Sequence, residues 1–294
     1  MPILPLVALA LGAALTLGTA VALAAVVATA SPLQPQAERS LADRPDEVAG
    51  SQVHVMYVLP SDGQDRRLDV DGTLANSVGS FQTWLAGQTG GRRLRLDTYR
   101  GAPDITFVRL ARSDSLMRSY GPRVRGAIEW ELSRAGLLSA GKVYAVYYDG
   151  GSTHACGSAA WPPETRGRVG AVYLRGTSPG ARPCNYTFVP SSASSPGYLE
   201  LSVLHEILHT LGFVAEIAPH EHARGHVPEP NDLMYDGGAA PWALSEVVLD
   251  VGQDDYYGSN VPAAAQNFAH SPFLMHADPA GLQTAPVGGS DTAR

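Results

Sequence analysis

The five residues His205-Glu206-Ile207-Leu208-His209 constrain this chain more than any other feature. They lie inside "SPGYLELSVLHEILHTLG", where Leu201, Leu204, Leu208 and Leu211 recur at spacings of three or four and form the apolar stripe of a packed helix. Ser195 is expected as its N-cap, Pro196 as its first helical residue and Gly212 as the left-handed residue after its last turn. On such a helix His205 and His209 leave the same side, one turn apart. Glu206 is displaced around the axis, far enough to miss a metal held by the two imidazoles and near enough to stand beside it. A catalytic zinc keeps three protein ligands and one open position and lowers the pKa of a water to about 7. Glu206 then suits a general base toward the zinc-activated water and, afterwards, a proton donor to a leaving amine. Two histidines leave the ligand set incomplete, and three more follow in "FVAEIAPHEHARGH": His220, His222 and His226.

The rest of the chain reads as one catalytic-size domain with export signals in front of it. Ile3 to Ala30 is almost wholly apolar and ends in Ala28-Thr29-Ala30, a pattern a signal peptidase could cut, so residues 1–30 are expected as a signal peptide or an uncleaved membrane anchor. Residues 31–50 turn to Pro, Gln, Ser, Asp and Glu and read as a linker; 51–275 is the folded domain and 276–294 a flexible tail. Outside the cytosol the two cysteines, Cys156 and Cys184, are expected to pair. The net charge of −7, with no basic stripe, gives no support to a nucleic-acid partner. Membrane contact is expected only through the N-terminal segment, and the chain is expected to act as a monomer.

Hydrophobic patterning gives strand, helix, strand, strand, helix, strand, then a Gly/Pro/Ser-rich stretch and the motif helix. The strands are "VHVMYVLP" (Val53–Pro60), "RRLRLDTYRG", "DITFVRL" and "KVYAVYYDG", and the helices span about Gly72–Gly91 and Pro122–Ala135. Within the Gly/Pro/Ser-rich stretch only "RVGAVYL", Arg168–Leu174, alternates like a strand. This order implies an α/β (α+β) fold: a twisted mixed sheet with helices covering one face, the site on the third helix and a small C-terminal subdomain. "DGGSTHACGSAAWPPETRG" reads as a loop that could cover the cleft, with His154 as a loop histidine. Asp250, Asp254 and Asp255 in "VVLDVGQDDYYG" raise a Ca2+ site as a possibility, but the spacing of a known calcium loop is missing and a solvated acidic turn is the simpler reading.

The motif resembles that of the metzincin zinc peptidases, which continue HExxH as HExxHxxGxxH and follow it with a Met-turn under the metal. His205, Glu206, His209 and Gly212 match, whereas the next position holds Ala215, which cannot bind zinc. The matrix metalloproteinase branch ends its motif with a histidine eight residues before the Met-turn methionine. "HVPEPNDLMY" is similar to that ending, with His226 on the ligand, Pro230 on the proline and Leu233-Met234-Tyr235 on the turn. The resemblance thus implies a complete zinc site of His205, His209 and His226 interrupted by an inserted loop, with His220 the alternative third ligand and His222 behind it. It also implies Met234 as an apolar floor, leaves the role of Tyr235 open, and places an extended substrate along an edge strand, for which Gly170, Ala171, Val172, Tyr173 and Leu174 are the candidates. The implied activity is zinc-dependent endopeptidase cleavage of a protein or peptide substrate. Two alternatives stand beside it: a gluzincin-type site completed by Glu229, which its place in Pro228-Glu229-Pro230 disfavours, and an extracellular binding or adhesion module holding zinc for structure.

Overall fold

A computed structural model describes residues 38–177, 184, 196–235 and 244–276 of the protein. The regular elements are β1 (Gln52–Leu59), α1 (Thr73–Gln88), β2 (Arg92–Leu94), β3 (Thr98–Tyr99), β4 (Ala102–Pro103), β5 (Ile105–Arg109), α2 (Asp114–Ser119), α3 (Val124–Arg134), β6 (Lys142–Tyr148), β7 (Gly157–Trp161), β8 (Thr165–Tyr173), α4 (Tyr198–Thr210) and β9 (Leu274–His276). Five strands form the main sheet in the order β5-β1-β6-β8-β7. Neighbours from β5 to β8 are parallel, and β7 closes the sheet antiparallel to β8. The fold is therefore a mixed α/β sheet with helices packed on it, the expected class.

The helices cover both faces rather than one. In β1, Val53, Val55, Tyr57 and Leu59 join the core under α1 and α4, while Met56 and Val58 join a second core with Met117 of α2 and Val124, Ile128 and Leu132 of α3. Alternate residues of a strand face opposite sides, and parallel strands joined by helical crossovers are buried on both. That is why every residue of β1 and of β6 is buried. Among the described residues after α4, Phe213, Leu233, Met234, Tyr256 and Phe268 pack into the cluster that holds α1 and α4 rather than into a core of their own. The site helix is the fourth rather than the third, because the short α2 precedes α3.

Two further expectations are corrected. "RVGAVYL" is not an edge strand: Gly170, Ala171, Val172 and Tyr173 lie in β8 between β6 and β7, and Leu174, just past its end, bonds the Tyr148 carbonyl at 2.9 Å. The edge is β7, "GSAAW", read from sequence as loop because glycine, serine and alanine are weak strand formers. It turns into β8 at Pro162-Pro163 as a hairpin. Residues 39–47, read as linker, are fastened to the domain. Arg39 pairs with Asp65 and Asp69, Arg44 with Asp104, Lys142 takes Asp43 and Asp46, and Ser40 bridges to Thr106 of β5. The expected signal or anchor segment, and the tail beyond His276, lie outside the described residues. Among those described, no helix is long and apolar enough to cross a membrane.

Candidate active site

Helix α4 starts two residues later than expected, at Tyr198. Gly197 precedes its first residue, and the Glu200 carboxylate accepts the Gly197 N–H at 2.8 Å, closing a donor that the helix itself leaves free. At its other end Gly212 takes φ +82° and turns the chain back, as expected. The helix lies tight on β8 because Gly170 faces it: a Cβ there would stand 2.6 Å from the Glu206 carbonyl oxygen.

The loop from Phe213 to Gly225 is held at several points, and this sets the position of His226. Phe213 packs edge-on to Phe268 with ring centroids 5.1 Å apart, and its carbonyl accepts the Trp161 indole N–H at 3.2 Å. His220 bonds Asp255 through its backbone N–H at 2.7 Å and through Nδ1 at 3.0 Å. Glu221 accepts the Gly225 N–H at 3.1 Å. Gly225, at φ +85°, passes so close to the helix that a Cβ would lie 2.6 Å from Trp161 Nε1 and 3.1 Å from His209 Nδ1. Past His226, the Val227 N–H bonds the Met234 carbonyl at 3.2 Å, which lays the two ends of the His226–Tyr235 turn side by side. Asp232 closes that turn by accepting the N–H groups of Met234 and Val251 and the Tyr256 hydroxyl, at 2.7–2.8 Å.

These constraints bring three imidazoles together. The Nε2 atoms of His205 and His209 are 3.0 Å apart, those of His209 and His226 3.0 Å, and those of His205 and His226 3.2 Å. His205 Nδ1 faces the Leu233 carbonyl at 2.8 Å and His226 Nδ1 the Ala223 carbonyl at 2.6 Å. A carbonyl only accepts, so each Nδ1 carries the proton and each Nε2 is left with a lone pair. Burial, with the neighbouring imidazole charges adding to it, pushes the His205 pKa down to about 3 and His209 well below its ordinary value. A second ring proton is thus disfavoured, and the close approach of His205 to His226 sets lone pair against lone pair. A cation at the centre removes that conflict. Three nitrogens on one tetrahedral zinc at 2.0–2.1 Å stand about 3.3 Å from one another, close to the separations found here, and no fourth His, Cys, Asp or Glu joins the group among the described residues.

The other sequence candidates fall elsewhere. His220 belongs to a separate group with Asp254 and Asp255. His222 is exposed, its backbone N–H bonded to the His226 carbonyl. Glu229 is not among the residues that face the three imidazoles. Met234 is fully buried beside Leu233, whose carbonyl orients His205, and Tyr235 does not line the cleft. Asp250 and Asp255, read as a solvated acidic turn, are buried. Asp250 is spent on the N–H groups of Asp254, Asp255, Tyr256 and Tyr257, which accounts for it without calcium.

The three imidazoles and Glu206 open onto a cleft of about 1310 Å³ walled by α3, β7 and the loop carrying Ala223 and Arg224. Burial raises the Glu206 pKa to about 8, against the opposing charge of Arg125; a cation held beside it pulls the other way, toward the carboxylate. Gly157 of β7 abuts this side chain, since a Cβ there would lie 2.2 Å from Glu206 Oε1. Sequence reading missed this edge strand and the α3 wall. The hairpin left one trace, a Pro-Pro corner between two short runs of small and branched residues. The expected disulfide, Cys156–Cys184, is present and lies at the start of β7. His154, a loop residue as expected, lines the cleft.

No family model matches the chain, and no curated protein sequence matches it. Among solved structures it is similar to the crystal structure of archaemetzincin from Methanopyrus kandleri, with 14% identity and a TM-score of 0.36 over 67% of this chain and 90% of that one. It is also similar to a structure of a chaperone–substrate complex, with 15% identity and a TM-score of 0.25 over 56% of this chain and 24% of that one. Likeness at this level leaves the chemistry to be read from the chain's own side chains.

Proposed function

We propose that the protein is an exported zinc-dependent endopeptidase of metzincin type, with His205, His209 and His226 holding the metal. The observation that carries this is the convergence of three imidazoles, with His205 and His226 each turning Nδ1 to a carbonyl and Nε2 inward, beside a buried carboxylate that is not itself a ligand and opens on a cleft. A zinc ion in that place supplies a Lewis acid that acidifies water and polarises a carbonyl. The Leu233 and Ala223 carbonyls hold His205 and His226 in the tautomer and orientation a ligand needs. Glu206 takes the proton of the attacking water and returns it to the leaving amine, and the backbone of Gly157 keeps its carboxylate in one position. The exposed edge of β7, rather than β8, offers main-chain groups along which an extended peptide can lie. The disulfide fits an oxidising compartment outside the cytosol.

The test is to express residues 38–276, measure bound zinc, and compare cleavage of a broad peptide library by the wild type and by Glu206→Gln. The peptidase reading expects about one zinc per chain in both and cleavage in the wild type alone. A binding module that keeps zinc for structure expects zinc in both and cleavage in neither, and it also expects a fourth protein ligand, which the described residues do not offer at this site.

A further inference from the structure

The cleft beside Glu206 is unevenly charged. The chain as a whole is acidic, at −7, yet the wall built by α3, the turn before it and the loop between β5 and α2 presents Arg112, Arg123 and Arg125. Behind this wall the cleft is joined, at Arg125, Gly126 and Trp130, by a recess of about 600 Å³ that adds Arg166 and Arg168. Two acids serve this side, and both are committed. Glu131 takes Arg112 at 3.0 Å and the Ala111 N–H at 2.6 Å. Glu129 takes the Arg168 N–H at 2.7 Å with one oxygen and pairs with Arg125 through the other. Arg112 also stacks on Trp130, its guanidinium 4.3 Å from the ring centroid, which fixes it against the wall. Arg123 and Arg166 form no ion pair among the described residues, and Arg125, its side chain 11% exposed, stands at the junction of cleft and recess. The acids Glu164 and Glu216 line the cleft from the β7–β8 corner and the loop after α4, which also contributes Arg224.

We propose that the α3 wall is a carboxylate-binding subsite, in which Arg123 and Arg125 select a substrate residue that carries a carboxylate. This rests on the peptidase reading for its purpose but not for its binding. A guanidinium presents five N–H donors in a planar fork that matches a carboxylate, so Arg125 retains donors beyond those given to Glu129. Partial enclosure strengthens the attraction relative to open water. The carboxylate can come from an Asp or Glu side chain or from a peptide C-terminus, since both present the same two oxygens.

Binding by the zinc-loaded Glu206→Gln protein reads the subsite without depending on turnover. Peptide pairs differing by Glu against Gln at one position, each with a free or an amidated C-terminus, are titrated by fluorescence anisotropy. The expected result is tighter binding of a carboxylate form by on the order of tenfold, a gap that narrows at high salt and closes in Arg123→Ala and Arg125→Gln. The exposed Arg123→Ala folds normally, and circular dichroism checks Arg125→Gln. If amidation removes the gap, the C-terminus is the source; if it persists between the Glu and Gln peptides, the side chain is. Equal binding of all four peptides, or a gap unchanged in both arginine variants, overturns the proposal. Carboxylate-selective binding without cleavage by the wild type would leave the subsite standing and defeat the peptidase reading instead.

Discussion

Two polar clusters of this molecule each gather histidine and potential metal ligands, and they differ in whether the chain's own cations reach them. At the N-terminal side of the sheet, His54 of β1 is enclosed with Asp43, Asp97 and Asp104. Every strong charge there has an opposite: Lys142 Nζ lies 2.6–2.8 Å from Asp43, Asp46 and Asp97, and Arg44 holds Asp104. His54 itself bridges Asp97 at 2.6 Å and the Thr106 hydroxyl at 2.9 Å. The lysine ammonium places a positive charge among these acids. Around His205, His209 and His226 no lysine or arginine ion pair is present among the described residues, and three Nε2 atoms face one another at 3.0–3.2 Å. A cluster whose acids meet the chain's own lysine and arginine fastens the fold, whereas three converging imidazoles suit a cation supplied from outside.

This contrast is broken most directly by alanine at each histidine in turn. His205→Ala, His209→Ala and His226→Ala should each remove bound zinc and lower peptide cleavage by more than about 10³-fold, while His54→Ala should keep its zinc and lose about 1–3 kcal/mol of stability by removing one of the two partners of Asp97. Zinc retained by His226→Ala would overturn the ligand set. Next in size, Gly157→Ala places a methyl against the Glu206 carboxylate and should cut kcat by about 10²-fold with zinc unchanged; wild-type kcat would show that the carboxylate is not held by β7.

The structural cluster answers to acid instead. Burial pushes the Asp97 carboxyl up, but the hydrogen bonds from His54 and Lys142 outweigh it and hold its pKa below the ordinary 3.8. A depressed folded-state value means the stabilisation is present above about pH 4 and is lost as the pH falls below it. Lys142→Met should therefore lower thermal stability at pH 7 by several kcal/mol and flatten the acid limb of the melting profile. An acid limb unchanged from wild type would place the sensitivity elsewhere. The smallest effect expected is that of His220→Ala. Its pair with Asp255 is 44% exposed on the histidine side, so its loss should cost under about 1 kcal/mol and leave zinc content intact.

Much of the site was legible in one dimension because its chemistry is local. Four-residue spacing places His205 and His209 on one helix face whatever the rest of the chain does, and Gly212 marks where that face must end. His226 could be approached only by resemblance, counting back from Met234, and His220 stayed open beside it. Their separation depends on Asp255, which lies 35 residues from His220 and draws it away. The edge strand was misread for a related reason. Alternation identified β8 as a strand but could not say which side of it was free, and β7 was hidden by small residues whose strand character comes from pairing, not propensity. The apolar runs of β1 and β6 were plain, while their burial on both faces follows only from the parallel neighbours that flank them.

The sequence by itself determined the motif helix, the residue types able to hold a metal and to move a proton, and the class of fold, since all of these follow from periodicities of 3.6 and 2 within short windows. Tertiary structure alone decided which histidine comes to lie against His205 and His209, which strand forms the open edge, and that Lys142 sits among the acids of the second cluster. Each of these depends on groups distant in sequence reaching a common point, and that is governed by packing and by the pairing of buried charge.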